Sequence, residues 1–391
     1  MISTSKLLFY LIEFINAYTS IYYSNFLFFY LRNTFGFGEV ANLLTAAAGG
    51  FVYIIAAWQG GKLAQRFGYI RILSLGIFIV FLSFVTGMIF PKPAAQVLVY
   101  CLWTVGICFI WPALEAVVCD RAGASLSRVI GIYNITWAAG AAVAYFTAGI
   151  LIEKLGILSL FWLPMGLMII ELALVPFAAN RLNKEYACQC HEMPLNTGAS
   201  PFETRLFQRM AWLANPFCYV AINTVIPLIP SIAEKLHLST GMAGIVGSLW
   251  MFTRMAAFAA LWQWTGWHYR FRWLAGSYLL LIICFFGVLV SPSLGWFLTA
   301  QVGFGFSIGF IYYSSLFYSM NVLENQCANA GFHEAMIGLG FFIGPACGAA
   351  TLYFIPTAIG SEAWSVGSLL CAGFSGLLFL KYYRSKSKKV P

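Results

Sequence analysis

Gly131-Ile-Tyr-Asn-Ile-Thr-Trp-Ala-Ala-Gly140 and Gly331-Phe-His-Glu-Ala-Met-Ile-Gly-Leu-Gly340 echo each other at a constant offset, so that Gly131, Asn134 and Gly140 fall opposite Gly331, Glu334 and Gly340. Each stretch opens a long apolar segment, sets one polar side chain one to two turns from its start, and repeats glycines along its length. Small residues at such spacing let membrane helices pack backbone to backbone. An offset of this size points to an internal repeat that doubles the chain.

The solvent follows from composition. Of 391 residues, 61% are hydrophobic and 9% charged, and the mean hydropathy is +0.82. A soluble domain carries roughly a quarter charged residues, so this chain is expected in lipid. Crossing a bilayer takes about 20 mostly apolar residues. Twelve stretches qualify: 7–31, 40–59, 72–90, 94–118, 129–152, 157–178, 210–232, 241–264, 273–290, 294–320, 328–354 and 363–382. They predict an all-α membrane protein of two six-helix bundles, 1–180 and 209–391, the second with a short basic tail, joined by a polar linker over 181–208. Ser200-Pro201-Phe202-Glu203 reads as a helix start with proline at its first position. A short surface helix is therefore expected to lead into the seventh span.

Lys6 is the only charge before the first apolar run, Glu13 interrupts that run, and no small-residue cleavage site follows, so a retained helix is expected rather than a signal peptide. The formal charge of +9 concentrates on alternate loops, among them Lys62, Arg66 and Arg71, then Arg270 and Arg272, then the tail with Lys381 and Arg384. The positive-inside rule reads this as both termini in the cytoplasm. The basic charge is thus a topology signal, and no nucleic-acid partner is expected. Most of the ten cysteines stand singly in apolar runs; Cys188-Gln-Cys190-His191 is the one cluster and lacks a second ligand pair, so no metal site is expected. No G-x-x-x-x-G-K-[ST] loop, nucleophile–base pair or H-E-x-x-H stretch is present. Neither an enzyme nor an ATP-driven pump is expected, and no cofactor.

Gly60-Gly61-Lys62-Leu63-Ala64-Gln65-Arg66-Phe67-Gly68-Tyr69-Ile70-Arg71, between the second and third spans, resembles the G-x-L-A-D-R-x-G-R-R loop of the major facilitator superfamily. Gly61, Gln65, Arg66, Gly68 and Arg71 carry the match; Gln65 stands where the family has Asp and hydrogen-bonds without ion-pairing. Trp267-His268-Tyr269-Arg270-Phe271-Arg272 is a degraded second copy. Gly340-Phe-Phe-Ile-Gly344-Pro345-Ala-Cys-Gly348 resembles the family's antiporter motif, which the family places in span five rather than eleven. The resemblance implies a secondary transporter working by alternating access, with spans one, four, seven and ten around a central cavity and two, five, eight and eleven at the moving interface.

Ionisable residues inside a bilayer are costly and point to function. Glu13, Asn16, Ser20 and Tyr23 make a polar stripe on the first span, suited to a wet cavity. Arg254 in the eighth span keeps its charge and needs a partner; Glu334, beside His333, is the expected one, and a Glu–Arg pair that protonation breaks would couple protons to transport. Glu115 reads as interfacial, near Asp120 and Arg121, and Glu171 as structural. Trp111, Asn134, Trp137, Asn223, Trp250, Gln301, Tyr312 and Tyr313 are the remaining candidates for an aromatic, hydrogen-bonding cavity fit for a sugar, a nucleoside or an amphipathic organic solute. The expectation is a monomeric, proton-coupled transporter in a plasma membrane such as the bacterial inner membrane. An uncoupled facilitator or exchanger, or a non-transporting scaffold or sensor, is the alternative.

Overall fold

Inside a bilayer, backbone N–H and C=O groups must be satisfied within helices or closed barrels. This chain takes the first solution. The computed structural model describes residues 4–119, 126–186, 201–320, 326–355 and 360–387, with side chains over 6–119, 128–183, 203–319, 334–355 and 360–383. Among the described residues there are thirteen helices and no strand. The first half holds α1 (Thr4–Phe35), α2 (Glu39–Phe67), α3 (Tyr69–Ile89), α4 (Pro93–Cys119), α5 (Leu126–Leu155) and α6 (Ser159–Tyr186). The second holds α7 (Pro201–Lys235), α8 (Thr240–Gly247), α9 (Leu249–Gln263), α10 (Phe271–Leu289), α11 (Leu294–Met320), α12 (Gln326–Phe354) and α13 (Ser361–Ser387). α8 and α9 are two pieces of one crossing. They meet at Ser248, whose hydroxyl donates to the Ile245 carbonyl at 2.7 Å.

Each of the twelve expected spans has its helix. Eleven are apolar enough to cross a membrane by length and composition. α1 falls short although it is 32 residues long, because it carries Glu13, Asn16, Thr19, Ser20 and Asn25. All five are buried against protein, which removes the cost of facing lipid. Twelve such helical crossings, an even number, place the start of α1 and the end of α13 on one face.

Two expected loops are shorter than the sequence suggested. No separate surface helix precedes the seventh span: α7 runs unbroken from Pro201, where a proline costs no hydrogen bond, over 35 residues. At 1.5 Å per residue it exceeds a bilayer's hydrocarbon core, so one end projects beyond it. Likewise, Gly60 to Phe67 are helical, and the turn between α2 and α3 narrows to Gly68 alone. Its φ of 93° is a conformation that L side chains rarely adopt. Gln65, Arg66 and Arg71 are exposed around that turn, and the Lys62 amine sits 3.7 Å from the centre of the Trp58 ring. Ser200, Cys188, Cys190 and His191 lie outside the described residues.

The repeat organises the packing. α5 lies along α1, and α12 lies along α7. Gly140 comes against the Phe14 carbonyl of α1, and Gly340 against the Pro216 carbonyl of α7, so the two echoing glycines do the same work in each half. Between the halves, α2 packs along α12, and α5 along α8 and α9. Gly50 meets the backbone of Phe341 and Phe342. Gly338 returns the contact: a Cβ there would lie 2.8 Å from the Tyr53 ring and 3.0 Å from the Ile54 nitrogen. Spans two, five, eight and eleven thus form the seam between the bundles.

Candidate functional site

A cavity of about 110 Å³ lies on that seam, and α1, α2, α4, α5, α7, α9, α11 and α12 all reach it. By order of magnitude it has room for several water molecules. Spans one, four and seven give most of the wall, as the family resemblance implied; span ten gives only Tyr312.

Three carboxyls converge on this cavity from three helices: Glu13 of α1, Glu115 of α4 and Glu334 of α12. None is more than 3% exposed. Neither oxygen of Glu13 and not Oε2 of Glu115 has a hydrogen-bond partner; the Tyr133 side chain stands beside Glu13. Glu334 is held differently. The Tyr53 hydroxyl donates to its Oε2 at 2.6 Å, a bond that runs from α2 to α12 and so joins the two bundles.

Arg254 is buried on α9 at the same cavity. Its expected partner is not Glu334. The guanidinium carbon sits 4.5 Å from the Trp137 ring centre, 5.0 Å from that of Tyr312 and 5.6 Å from that of Phe258. Its Nη2 donates to the Tyr219 hydroxyl at 3.4 Å, and its Nε has no partner. Arg254 forms no ion pair with any of the three carboxyls. The aromatic faces take the place of a counter-ion, since a guanidinium over ring faces is stabilised by their quadrupoles.

Of the remaining candidates, Trp111, Trp137, Asn223, Trp250 and Tyr312 line the cavity. Asn16, Tyr23, Asn134, Gln301 and Tyr313 do not. Tyr23 packs behind the wall among Phe84, Trp103 and Phe161. Asn134 accepts from Trp137 Nε1 at 3.2 Å, and so positions a ring that does face the cavity. Tyr313 packs on Phe258 and Trp267. Asn16 and Gln301 are buried with both amide atoms unpartnered. Glu171 is fully buried in α6, away from the cavity, and neither oxygen has a hydrogen-bond partner. The side chain of His333 lies outside the described residues.

Tyr53 is among the residues that sequence reasoning passed over, and Glu115 is one that it read as interfacial. Glu115 sits in the cavity wall rather than at the membrane face. Its signal was available: Tyr100, Trp103, Ile107, Trp111 and Glu115 follow at helical spacing and share one face of α4. Nothing distinguished Tyr53 among 20 tyrosines.

Twelve helical crossings in two halves repeated about a central, partly polar cavity define a transporter-type membrane fold. Residues 8–187 match the sequence profile of the Major Facilitator Superfamily. Over the whole chain the fold resembles solved structures of transporters. The nucleoside transporter NupG covers 100% of this chain and 100% of its own, with a TM-score of 0.66 at 13% identity. A variant of NupG gives 0.69 at 12% identity, over 96% of this chain and 98% of that one. The human organic anion transporter MFSD10 (TETRAN) gives 0.65 at 13% identity, over 97% and 98%. No curated protein sequence matches the chain. The first half of the chain is thus similar to the major facilitator superfamily, and the whole chain shares the fold of these solved transporters.

Proposed function

We propose that this protein is a secondary active transporter that moves a small organic solute by alternating access, with protons as the coupling ion. The two bundles, 1–180 and 209–391, rock about the seam of α2, α12, α5 and α8–α9, with both termini in the cytoplasm as the Lys and Arg distribution favours. The observation that carries the reading is the Tyr53–Glu334 hydrogen bond. It joins a titratable carboxyl of one half to the other half at the cavity itself. Glu334 accepts this bond best as a carboxylate, because hydrogen bonds to an ionised acceptor are the stronger kind. Protonation weakens the link between bundles, and deprotonation restores it. Glu13, on the first helix of the other half with the Tyr133 side chain beside it, supplies a second proton site.

The test is flux in proteoliposomes under an imposed pH gradient, for wild type, Glu13→Gln and Glu334→Gln. Solute accumulation driven by the gradient is expected in wild type. Glu334→Gln is expected to retain exchange of solute for solute while losing the response to the gradient. Gradient-driven accumulation that survives in both variants overturns the coupling assignment. Absence of any flux overturns the transporter reading.

A further inference from the structure

The cavity is unbalanced in charge. Three carboxyls face it and one guanidinium does, and that guanidinium already lies under the rings of Trp137 and Tyr312 rather than against a carboxylate. Glu115 is within electrostatic reach of both Glu13 and Glu334, so the three act on one another. An ionised carboxyl buried in a membrane protein needs a proton or a cation to offset it. With Arg254 counted once, two carboxyls remain to be met by protons or by a cation.

An acidic cluster alone does not make a site. Here the side chain of Glu13 is 1% exposed, faces the cavity and leaves both oxygens unpartnered. The walls around it are aromatic, from Trp103 and Trp111 on α4, through Tyr133 on α5, to Trp250 on α9. Ring faces and unpartnered carboxyls together suit a positive group with an apolar body. An ammonium ion is drawn to the ring quadrupoles, and its charge meets the carboxylates. A carboxylate-bearing solute, by contrast, faces three carboxyls and an Arg254 already engaged by Tyr219 and three rings.

We infer that the solute is an organic cation, bound between Glu13, Glu115 and the aromatic wall in exchange for protons held by the same carboxyls. The inference rests on the transporter reading above and names its substrate class. A monocation that enters as one proton leaves keeps the cavity's charge constant. Other titratable groups near these carboxyls are Tyr53, Tyr133, Tyr219 and Tyr312, with Arg254; Tyr100 lines the wall, and behind it lie Cys108 near Glu334, Cys119 near Glu115 and Glu171 within electrostatic reach of Glu13. Phenols and thiols are neutral and the guanidinium charged through the working range, so only the carboxyls exchange protons there.

The probe is benzyltrimethylammonium, whose fixed charge carries no proton, so any proton released on binding comes from the protein. Thermal stabilisation of the purified full-length protein is measured with it, with neutral uridine and with benzoate, at several pH values. The cation alone is expected to stabilise wild type. For exchange against one proton, its affinity rises by up to about tenfold per pH unit. Proton release in weak buffer accompanies binding, and Glu115→Gln weakens both. Stabilisation by uridine or benzoate without the cation overturns the cation assignment and leaves the transporter reading standing. Cation binding without proton release, or unchanged by pH, overturns the exchange. Binding with no flux of the cation in proteoliposomes overturns the transporter reading and leaves the site in place. If Glu115→Gln does not fold, the wild-type panel still decides.

Discussion

His268 stacks on Phe317 with ring centroids 4.2 Å apart and planes 17° from parallel, in the turn between α9 and α10. Beside it Trp267 is buried and its Nε1 donates to the Leu261 carbonyl at 3.2 Å. Burial pushes the His268 imidazole down from 6.5 to about 4. The folded protein therefore binds this proton less readily than the unfolded chain does. Between pH 6.5 and about 4 the unfolded state holds more protons, and this residue makes stability fall as pH falls. His268→Gln is expected to lose that contribution, so the gap between wild type and variant narrows or reverses toward low pH in thermal unfolding. Parallel curves for the two proteins across this range would refute it. The surrounding hexapeptide read as a worn copy of the α2–α3 loop; its aromatic packing was not legible, because Phe317 and Tyr318 come from α11, some fifty residues along the chain. The same limit applies on α1. The stripe of Glu13, Asn16, Ser20 and Tyr23 was read correctly as polar. Positions 16 and 23, however, fall to one side of 13 and 20 at 3.6 residues per turn. The wall runs instead through Glu13, Ala17, Ser20 and Ser24.

At the scale of helices, the repeat was the most legible feature. Gly140 and Gly340 could be paired by arithmetic before any packing was known, and both press a bare backbone against the first helix of their own half. What arithmetic could not show is that α12 uses neighbouring glycines for two partners: Gly340 and Gly344 for α7, Gly338 for α2. The stretch that resembles an antiporter motif is thus explained by helix contacts in its own place, span eleven. A methyl group at Gly340 has nowhere to go, since its Cβ would lie 2.6 Å from that of Tyr219. Gly340→Ala is expected to destabilise by about 1–3 kcal/mol through overpacking. Gly166 of α6 is the control, because nothing lies within 4 Å of a Cβ there. Gly166→Ala is expected to be neutral, or to stabilise by up to ~1 kcal/mol through helix propensity. Thermal unfolding in detergent compares the two, and equal shifts would mean that the close approach of α12 to α7 is not what the glycine provides.

For the molecule as a whole, polar links between the bundles gather on the face away from the termini. Arg32, at the end of α1, ion-pairs with Glu234 at the end of α7 and donates to Ser231 Oγ at 3.0 Å. Asn42 of α2 donates through Nδ2 to the Phe28 and Pro227 carbonyls, each at 3.3 Å, bridging α1 and α7. The Gly241 nitrogen, at the start of α8, donates to Glu153 Oε1 of α5 at 2.7 Å. Nothing in the sequence set Arg32 apart, since its partners lie about two hundred residues away. If the halves alternate as proposed, these links hold that face shut, and their strengths differ. The Glu234 side chain is 70% exposed, and an exposed ion pair contributes at most ~1 kcal/mol. Asn42 is 1% exposed, and removing a buried donor strands its acceptors at a cost of about 1–3 kcal/mol. Asn42→Ala is therefore expected to open the face more than Arg32→Ala does. Labelling of a Ser24→Cys reporter in the cavity wall, by a membrane-impermeant thiol reagent in a background without the native cysteines, reads the opening. Faster labelling is expected in the order wild type, Arg32→Ala, Asn42→Ala. The charge-reversed pair Arg32→Glu with Glu234→Arg should return the rate toward wild type. If both single variants label at the wild-type rate, the seam of α2, α12, α5 and α8–α9 closes that face by packing alone, and the gate belongs to the helices rather than to their polar ends.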